Sequence, residues 1–367
     1  MSDEKAVLLL GRRDQPTDGV ADYCEKLRDA GVARGLSFEV AQAEWADEGW
    51  AGALASLGKI ASAWRDRWVF LQYTTLAWSS RGFPLRTPGV LDVLRKFGAR
   101  PAVVFHDFLP AKGSGIVGGI RAHTQRSVLR ALYARADLAV FTVPVEKITW
   151  IPAHQKKAVF IPVGSNFPEP AAEAQNDNLE ISPAAFSVAV FGITGGATGA
   201  EEVGDIAYAL RGVQSRGVRV RLVAIGRGSE VFEAELRSAL SGSGIELSML
   251  GLLPAQELVR ALSGAQALLC VRGHVSSRRG SAIAGIVCGV PIVGYRGPET
   301  GFPITEAGVK LVDLRDRDSL VRALAQVLTD EELHRELRQQ NSLAAERYFS
   351  WHAIASQFAQ AMSARLS

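Results

Sequence analysis

The chain is poor in the residue types that mark secreted, metal-built or membrane-spanning proteins. Its 367 residues include only three cysteines, Cys24, Cys270 and Cys288, widely spaced and set among apolar residues. That spacing makes neither a disulfide framework nor a metal-ligand pattern, and it points to a reducing cytoplasm. No apolar stretch approaches the roughly 20 residues needed to span a bilayer. Ser2, Asp3, Glu4 and Lys5 precede only a short apolar run, which lacks the layout of a secretory leader. The one Asp-x-Asp sequence, Asp316 with Asp318, suits a helix N-cap better than a metal site, so no metal or other cofactor is expected. Neither sign of charge dominates, since the net charge is only +3.

What remains is an ordinary globular composition, with 47% apolar and 22% charged residues. The length exceeds what one hydrophobic core usually organises, so two domains are expected. The charge is unevenly spread. Residues 1–50 carry 6 Lys or Arg against 11 Asp or Glu, whereas residues 51–165 carry 16 against 5. The second stretch suits an anionic partner such as an anionic membrane surface, although solvated helix faces also hold such charges.

Short aliphatic runs alternate with helical patterns throughout. In the first half, strands are expected at 6–10, 68–72, 102–105, 138–142 and 158–161. In the second half they are expected at 188–191, 220–225, 245–250, 267–271, 291–294 and 309–312, with helices at 200–211, 229–240, 254–263 and 281–288. Runs this apolar belong to parallel sheets covered on both faces. The expected fold is therefore α/β, with two doubly wound Rossmann-like domains. The first spans 1–165, a Pro- and Asn-rich linker spans 166–183, and the second spans 184–350. The last helical patterns, 318–348 and 351–366, are broken at Phe349 and Ser350, which lets the final helix cross back to the first domain.

Ligands of such sheets bind beyond the carboxyl ends of strands, where loops lead into helix N-termini that suit phosphate. Three loops have that placement. The first runs from Gly11 to Gly19, with a helix starting near Asp18 and Gly19. The second, "FGITGGATGAEE", carries Gly195, Gly196 and Thr198. The third, "VRGHVSSRRGSAIAGIVCGVPIVG", places Arg278 and Arg279 beside the small-residue helix that begins at Gly280 and Ser281. Guanidinium groups and backbone amides can grip a diphosphate together.

The segment "CGVPIVG", Cys288 to Gly294, resembles the signature of family 4 glycosyltransferases, which have the GT-B fold. "IPVGSNF", "GRGSE", "LGLLPAQELVRALSGAQALL" and "FSWHAIA" are similar to further segments of that family, in the same order. The resemblance implies transfer of a sugar from a nucleotide-sugar donor to a saccharide or lipid-linked acceptor in glycan biosynthesis, with retention of configuration. It further implies a donor-binding second domain, an acceptor-binding first domain and a catalytic cleft between them. No nucleic-acid partner is implied. His106 matches the family's active-site histidine, with Asp107 beside it. Gly19, Gly195, Gly196, Thr198, Gly226, Leu253, Arg278, Arg279, Gly280 and Ser281 fall on the donor side, and Asp18 and Tyr73 on the acceptor side.

The chain departs from the family pattern. The two glutamates that usually precede "CGxP" fall on Ser276 and Ala284, and the usual Arg and Lys of the first loop fall near Ile193 and Thr198. Arg278 and Arg279, with the amides at Gly280 and Ser281, are expected to replace that charge. A sugar-nucleotide epimerase of the same fold and a catalytically silent sugar-nucleotide-binding protein are the alternatives. A dehydrogenase is disfavoured, because no dinucleotide fingerprint follows the first strand.

Overall fold

The computed structural model describes residues 4–14, 18–111, 113, 115–152, 156–168 and 185–364. The chain divides into two compact units. Unit 1 comprises Met1–Pro162 with Trp351–Ser367, and unit 2 comprises Val163–Ser350. Most of the expected linker, residues 169–183, lies outside the described residues.

The sheet of unit 1 contains β1 (Glu4–Leu10), β2 (Leu36–Gln42), β3 (Trp68–Tyr73), β4 (Arg100–Phe105), β5 (Leu138–Phe141) and β6 (Ala158–Phe160). Their order is β2-β1-β3-β4-β5-β6 and every pairing is parallel. Strands β3 and β5 are buried along their whole length, as sheets covered on both faces require. Strand β2 was not among the expected strands. Among the described residues it pairs only with β1, and its Leu36 and Phe38 are buried while Ser37 and Glu39 are exposed. An edge strand with one wet face alternates and so lacks the continuous apolar run of its neighbours.

Helices α1 (Gly19–Val32), α2 (Trp45–Ala61), α3 (Thr87–Lys96) and α4 (Gly115–Arg135) cover this sheet, joined by the C-terminal α11 (Trp351–Ser363). Ser350 has an extended backbone that ends the preceding helical turn and releases α11 into unit 1. There Trp351 meets Tyr23 of α1 edge-on, with ring centroids 5.2 Å apart. Phe358 packs at 5.3 Å from Phe70 of β3 and 6.3 Å from Phe38 of β2. The last helix thereby seals one face of the first sheet.

Unit 2 contains β7 (Phe186–Phe191), β8 (Val220–Ile225), β9 (Glu246–Gly251), β10 (Ala267–Cys270), β11 (Ile292–Tyr295) and β12 (Val309–Val312), ordered β12-β11-β10-β7-β8-β9 and all parallel. Helices α5 (Ala197–Gln214), α6 (Glu233–Leu240) and α9 (Arg317–Thr329) pack on one face around Val190, Ile206 and Leu324. Helices α7 (Ala255–Ser263) and α8 (Gly280–Val287) pack on the other around Leu258, Leu268 and Ile283. Two cores, one per face, define a doubly wound sheet. The single helical pattern expected over 318–348 is in fact α9 followed by α10 (Glu331–Ala344) and a π turn over Ala345–Phe349. Asp330 makes the break, because its carboxylate accepts the amide of Leu333 at 3.0 Å and starts a new helix.

The docking of α11 generates a stability prediction. Phe358→Ala should cost unit 1 about 3 to 5 kcal/mol, the usual cost of emptying a buried aromatic site. Chemical denaturation followed by tryptophan fluorescence reads it, and a loss below about 1 kcal/mol would show that α11 does not seal the sheet.

Candidate functional site

The sheet of unit 2 reverses direction at β7: the chain runs outward to β8 and β9, then returns to place β10 on the other flank. The loops leaving β7 and β10 therefore diverge and leave a crevice at the carboxyl ends of these strands. A narrow pocket occupies it, lined by Gly192, Glu202, Cys270, Arg272, His274, Arg279 and Ser281 among others.

The glycine loop after β7 is shaped by close approach rather than by general flexibility. A Cβ on Gly199 would overlap the Thr194 carbonyl oxygen and the Phe232 ring, so only glycine lets α5 start this near the strand. Gly196 precedes α5 with φ of +69°, a left-handed conformation that also favours glycine. Glu202, buried on α5, accepts the Thr194 amide at 2.8 Å and fixes the loop. On the other flank α8 lies tightly against β10. A Cβ on Gly285 would come 2.5 Å from Leu268 Cδ2, which accounts for the small residues of that helix. The N-cap residue of α8, Arg279, makes no side-chain cap, so among the described residues the first amides of the helix are left for a ligand.

Electrostatics divide the cations of this loop into two kinds. Arg278 donates through Nε to Glu299 Oε2 at 2.6 Å and through its terminal nitrogen to Glu299 Oε1 at 3.0 Å. His274 Nε2 stands 3.7 Å from the same carboxylate, an electrostatic rather than a hydrogen-bonding distance. Burial raises the pKa of Glu299, but His274 and Arg278 outweigh it and hold the carboxyl at about 2. Arg279 is different. Its guanidinium has no hydrogen bond or ion pair among the described residues and lies against Gly273, where a Cβ would meet it at 2.7 Å. Burial, with Arg272 and Arg278 adding like-charge repulsion, lowers its pKa. Arg272 is exposed and equally without a partner among the described residues, with one terminal nitrogen 3.4 Å from where a Cβ on Gly192 would stand. Of the two arginines expected at the anion site, Arg278 is matched by a carboxylate, whereas Arg279 and Arg272 line the crevice with no side-chain ion pair among the described residues.

The other donor-side expectations divide as well. Ser281 lines the pocket, and Gly280 is the exposed first residue of α8. Gly195, Gly196 and Thr198 are exposed where α5 begins. Gly226 instead closes the turn after β8, donating its amide to Gly251 O at 2.6 Å, and Leu253 packs beside the α7–α8 core. Neither of these two lines the crevice. Ala284 is fully buried in that core, so no side chain at its position reaches the pocket. Cys270 is no thiolate nucleophile, because burial pushes its thiol up to about 12. Among the described residues no group of three or more His, Cys, Asp or Glu could hold a metal ion. Sequence reasoning missed Arg272, His274, Glu202 and Glu299. Of these, Arg272 and His274 stood in the loop already singled out, immediately past the end of a strand.

In unit 1, His106 leaves β4 half-buried with Nε2 2.9 Å from Gln72 Oε1, and its ring meets Tyr23 edge-on at 5.0 Å. Asp107 accepts the Thr75 amide at 2.9 Å, tying the loops after β3 and β4 together. Both stand at the carboxyl edge of their sheet. The two acceptor-side expectations fare worse. Tyr73 is 0% exposed, with its ring in the core near Phe105, so it cannot touch an acceptor. Asp18 is the N-cap of α1, whose first residue is Gly19. Its carboxylate accepts the amides of Val20, Ala21 and Asp14, and is spent on the turn.

No protein-family model matches the sequence, and no curated protein matches it significantly. Solved structures do match. HepE of Anabaena, in complex with UDP and glucose, superposes with a TM-score of 0.67 at 14% identity, covering 98% of this chain and 100% of that one. Sucrose-phosphate synthase from Thermosynechococcus elongatus gives 0.66 at 16% identity, with 98% of each chain covered. WaaG, a glycosyltransferase involved in lipopolysaccharide biosynthesis, gives 0.63 at 14% identity, with 97% and 98% covered. At these identities the likeness establishes the fold, the two-sheet GT-B architecture of glycosyltransferases.

The Glu299 pair makes a pH prediction. A carboxyl depressed from 4.5 to about 2 contributes stability that is complete above roughly pH 4.5 and disappears as the pH falls through 2. Glu299→Gln should therefore lose about 1 to 3 kcal/mol at neutral pH. Its melting temperature should converge on that of the wild type in acid. A difference that stays constant down to low pH would contradict the pairing.

Proposed function

We propose that unit 2 binds a nucleotide sugar by its diphosphate and that the chain transfers the sugar to a saccharide or lipid-linked acceptor held by unit 1. The observation that carries this reading is that Arg272 and Arg279, whose side chains have no hydrogen bond or ion pair among the described residues, stand at the strand-order reversal beside a helix N-terminus whose N-cap residue makes no side-chain cap. A half-buried guanidinium without a carboxylate is costly unless an anion completes it. The fold and the glycine loop that lets a ligand approach the backbone support the same reading.

As the glycosidic bond breaks, negative charge grows on the departing diphosphate. Arg279 and the first amides of α8 would stabilise it from fixed positions, with little reorganisation at the moment of reaction. Arg272, exposed and unpaired, would add a second donor. These groups supply the neutralising charge themselves, so the reading requires no divalent cation, and it includes the retaining outcome that the family resemblance implies. Glu299 keeps Arg278 out of the diphosphate contact and orders the loop that presents Arg279. By the same resemblance His106 serves the transferred sugar. Its hydrogen bond to Gln72 and its contact with Tyr23 hold the ring in one orientation.

Charge-assisted hydrogen bonds to a partly buried phosphate are worth ~1.5 to 3 kcal/mol, so Arg279→Ala should weaken nucleoside diphosphate binding about tenfold to a hundredfold. Affinity for the matching nucleoside should barely change, as calorimetric titration can show. If both ligands lose affinity equally, or neither does, Arg279 is not the phosphate contact. In a transfer assay His106→Ala should lower turnover by about a hundredfold or more while the melting temperature holds. Wild-type turnover would remove His106 from the site.

A further inference from the structure

The amino edge of the first sheet, the end opposite His106, gathers positive charge around a concavity. Trp68 and Arg100 are register partners that open β3 and β4, and Asp137 and Lys157 stand immediately before β5 and β6. With Arg95 of α3 and Arg135 of α4 they line a space of about 810 Å³, within the usual range for a small-molecule site. The lining carries four cations, Arg95, Arg100, Arg135 and Lys157, against the one carboxylate of Asp137.

These cations do not all serve one purpose. Lys157 donates to the Tyr133 and Ala136 carbonyls at 2.7 and 3.1 Å, and Arg95 donates to the Arg135 carbonyl and to Asp137 at 2.6 and 2.7 Å. Both therefore neutralise the negative end of α4, which would otherwise repel an anion. Arg135 pairs with Asp92 at 3.0 Å. Arg100 has no such use. Its side chain makes no hydrogen bond or ion pair among the described residues, and its guanidinium lies 5.9 Å from the centroid of the Trp68 ring. Trp68 is 3% exposed, and its indole Nε1 is buried with no acceptor among the described residues. An indole N–H and a guanidinium are donors only, so neither can satisfy the other. A buried donor left unmatched is costly, whereas an anionic oxygen accepts from both groups and answers the surplus charge. Because Arg100 has no polar partner to lose, it can re-seat around such a ligand.

We propose that this concavity is a binding site for a small phosphorylated molecule, whose phosphate oxygens accept from the Arg100 guanidinium and the Trp68 indole. Strands β3 and β4 are six residues long, so the site lies roughly 20 Å from His106 at the opposite edge. Its occupant is consequently not the molecule that reacts there. The site belongs to unit 1 alone and does not rest on the donor reading of unit 2.

Heteronuclear NMR of the Trp68 indole N–H tests the proposal, with inorganic pyrophosphate as the probe and the signal identified by its absence in Trp68→Phe. In the wild type the signal should shift on addition of pyrophosphate and saturate. It should do so equally in Arg279→Ala, which disables the anion site argued for unit 2, and sodium chloride at matched ionic strength should leave it in place. Calorimetric titration in the Arg279→Ala background should show that Arg100→Gln weakens pyrophosphate binding about tenfold to a hundredfold, and Trp68→Phe about tenfold. Arg216→Gln, an exposed cation of unit 2, should change neither readout. Melting temperatures verify that each variant is folded. No shift, a shift that never saturates, one that salt reproduces, or one lost in Arg279→Ala overturns the proposal. So does unchanged affinity in Arg100→Gln or in a folded Trp68→Phe.

Discussion

In unit 2 the decisive constraint is the reversal of strand order between β7 and β10. A chain that winds outward one way and then back the other cannot cover the gap between its first two diverging loops. Whatever functional groups the sequence holds at those two strand ends must face a shared crevice. The layout of the site follows from that. The loop after β7 needs glycine to turn in the space available. The helix after β10 needs small residues to lie against its strand, and its uncapped start and flanking arginines end up on one pocket.

Glu299 then decides which cation does what. Two adjacent arginines in an open loop would be equivalent, but a buried carboxylate that grips Arg278 through both oxygens removes that equivalence. Arg278 becomes part of the scaffold, while the Arg279 guanidinium has no hydrogen-bonded or ion-paired partner among the described residues. The cost of holding a partly buried, unmatched guanidinium is the physical reason to expect an anionic ligand there.

The two-domain α/β architecture and the return of the last helix were readable, because continuous apolar strands and a broken terminal helical pattern depend only on local sequence. Strand β2 was not, since an edge strand alternates. The split of the 318–348 pattern at Asp330 was hidden because an aspartate reads as a helix surface residue until its carboxylate is seen capping Leu333. In the site, the loop holding Arg279 was legible as a strand-to-helix turn rich in positive charge. Its division of labour was not, because Glu299 lies about twenty residues downstream and only the fold brings it to Arg278. Tyr73 and Asp18 were misplaced for a related reason. Tyr73 ends a strand and Asp18 lies in the loop after one, but the first is buried in the core and the second is spent on capping a helix.

The central claim is that Arg272, Arg279 and the start of α8 form a diphosphate site. A crystal structure of the chain grown with a nucleoside diphosphate tests this most directly. The account predicts phosphate oxygens about 3 Å from the guanidinium groups of Arg272 and Arg279 and from the first amides of α8, with Arg278 still on Glu299. A diphosphate bound elsewhere, or held by an Arg278 that has left Glu299, would contradict it.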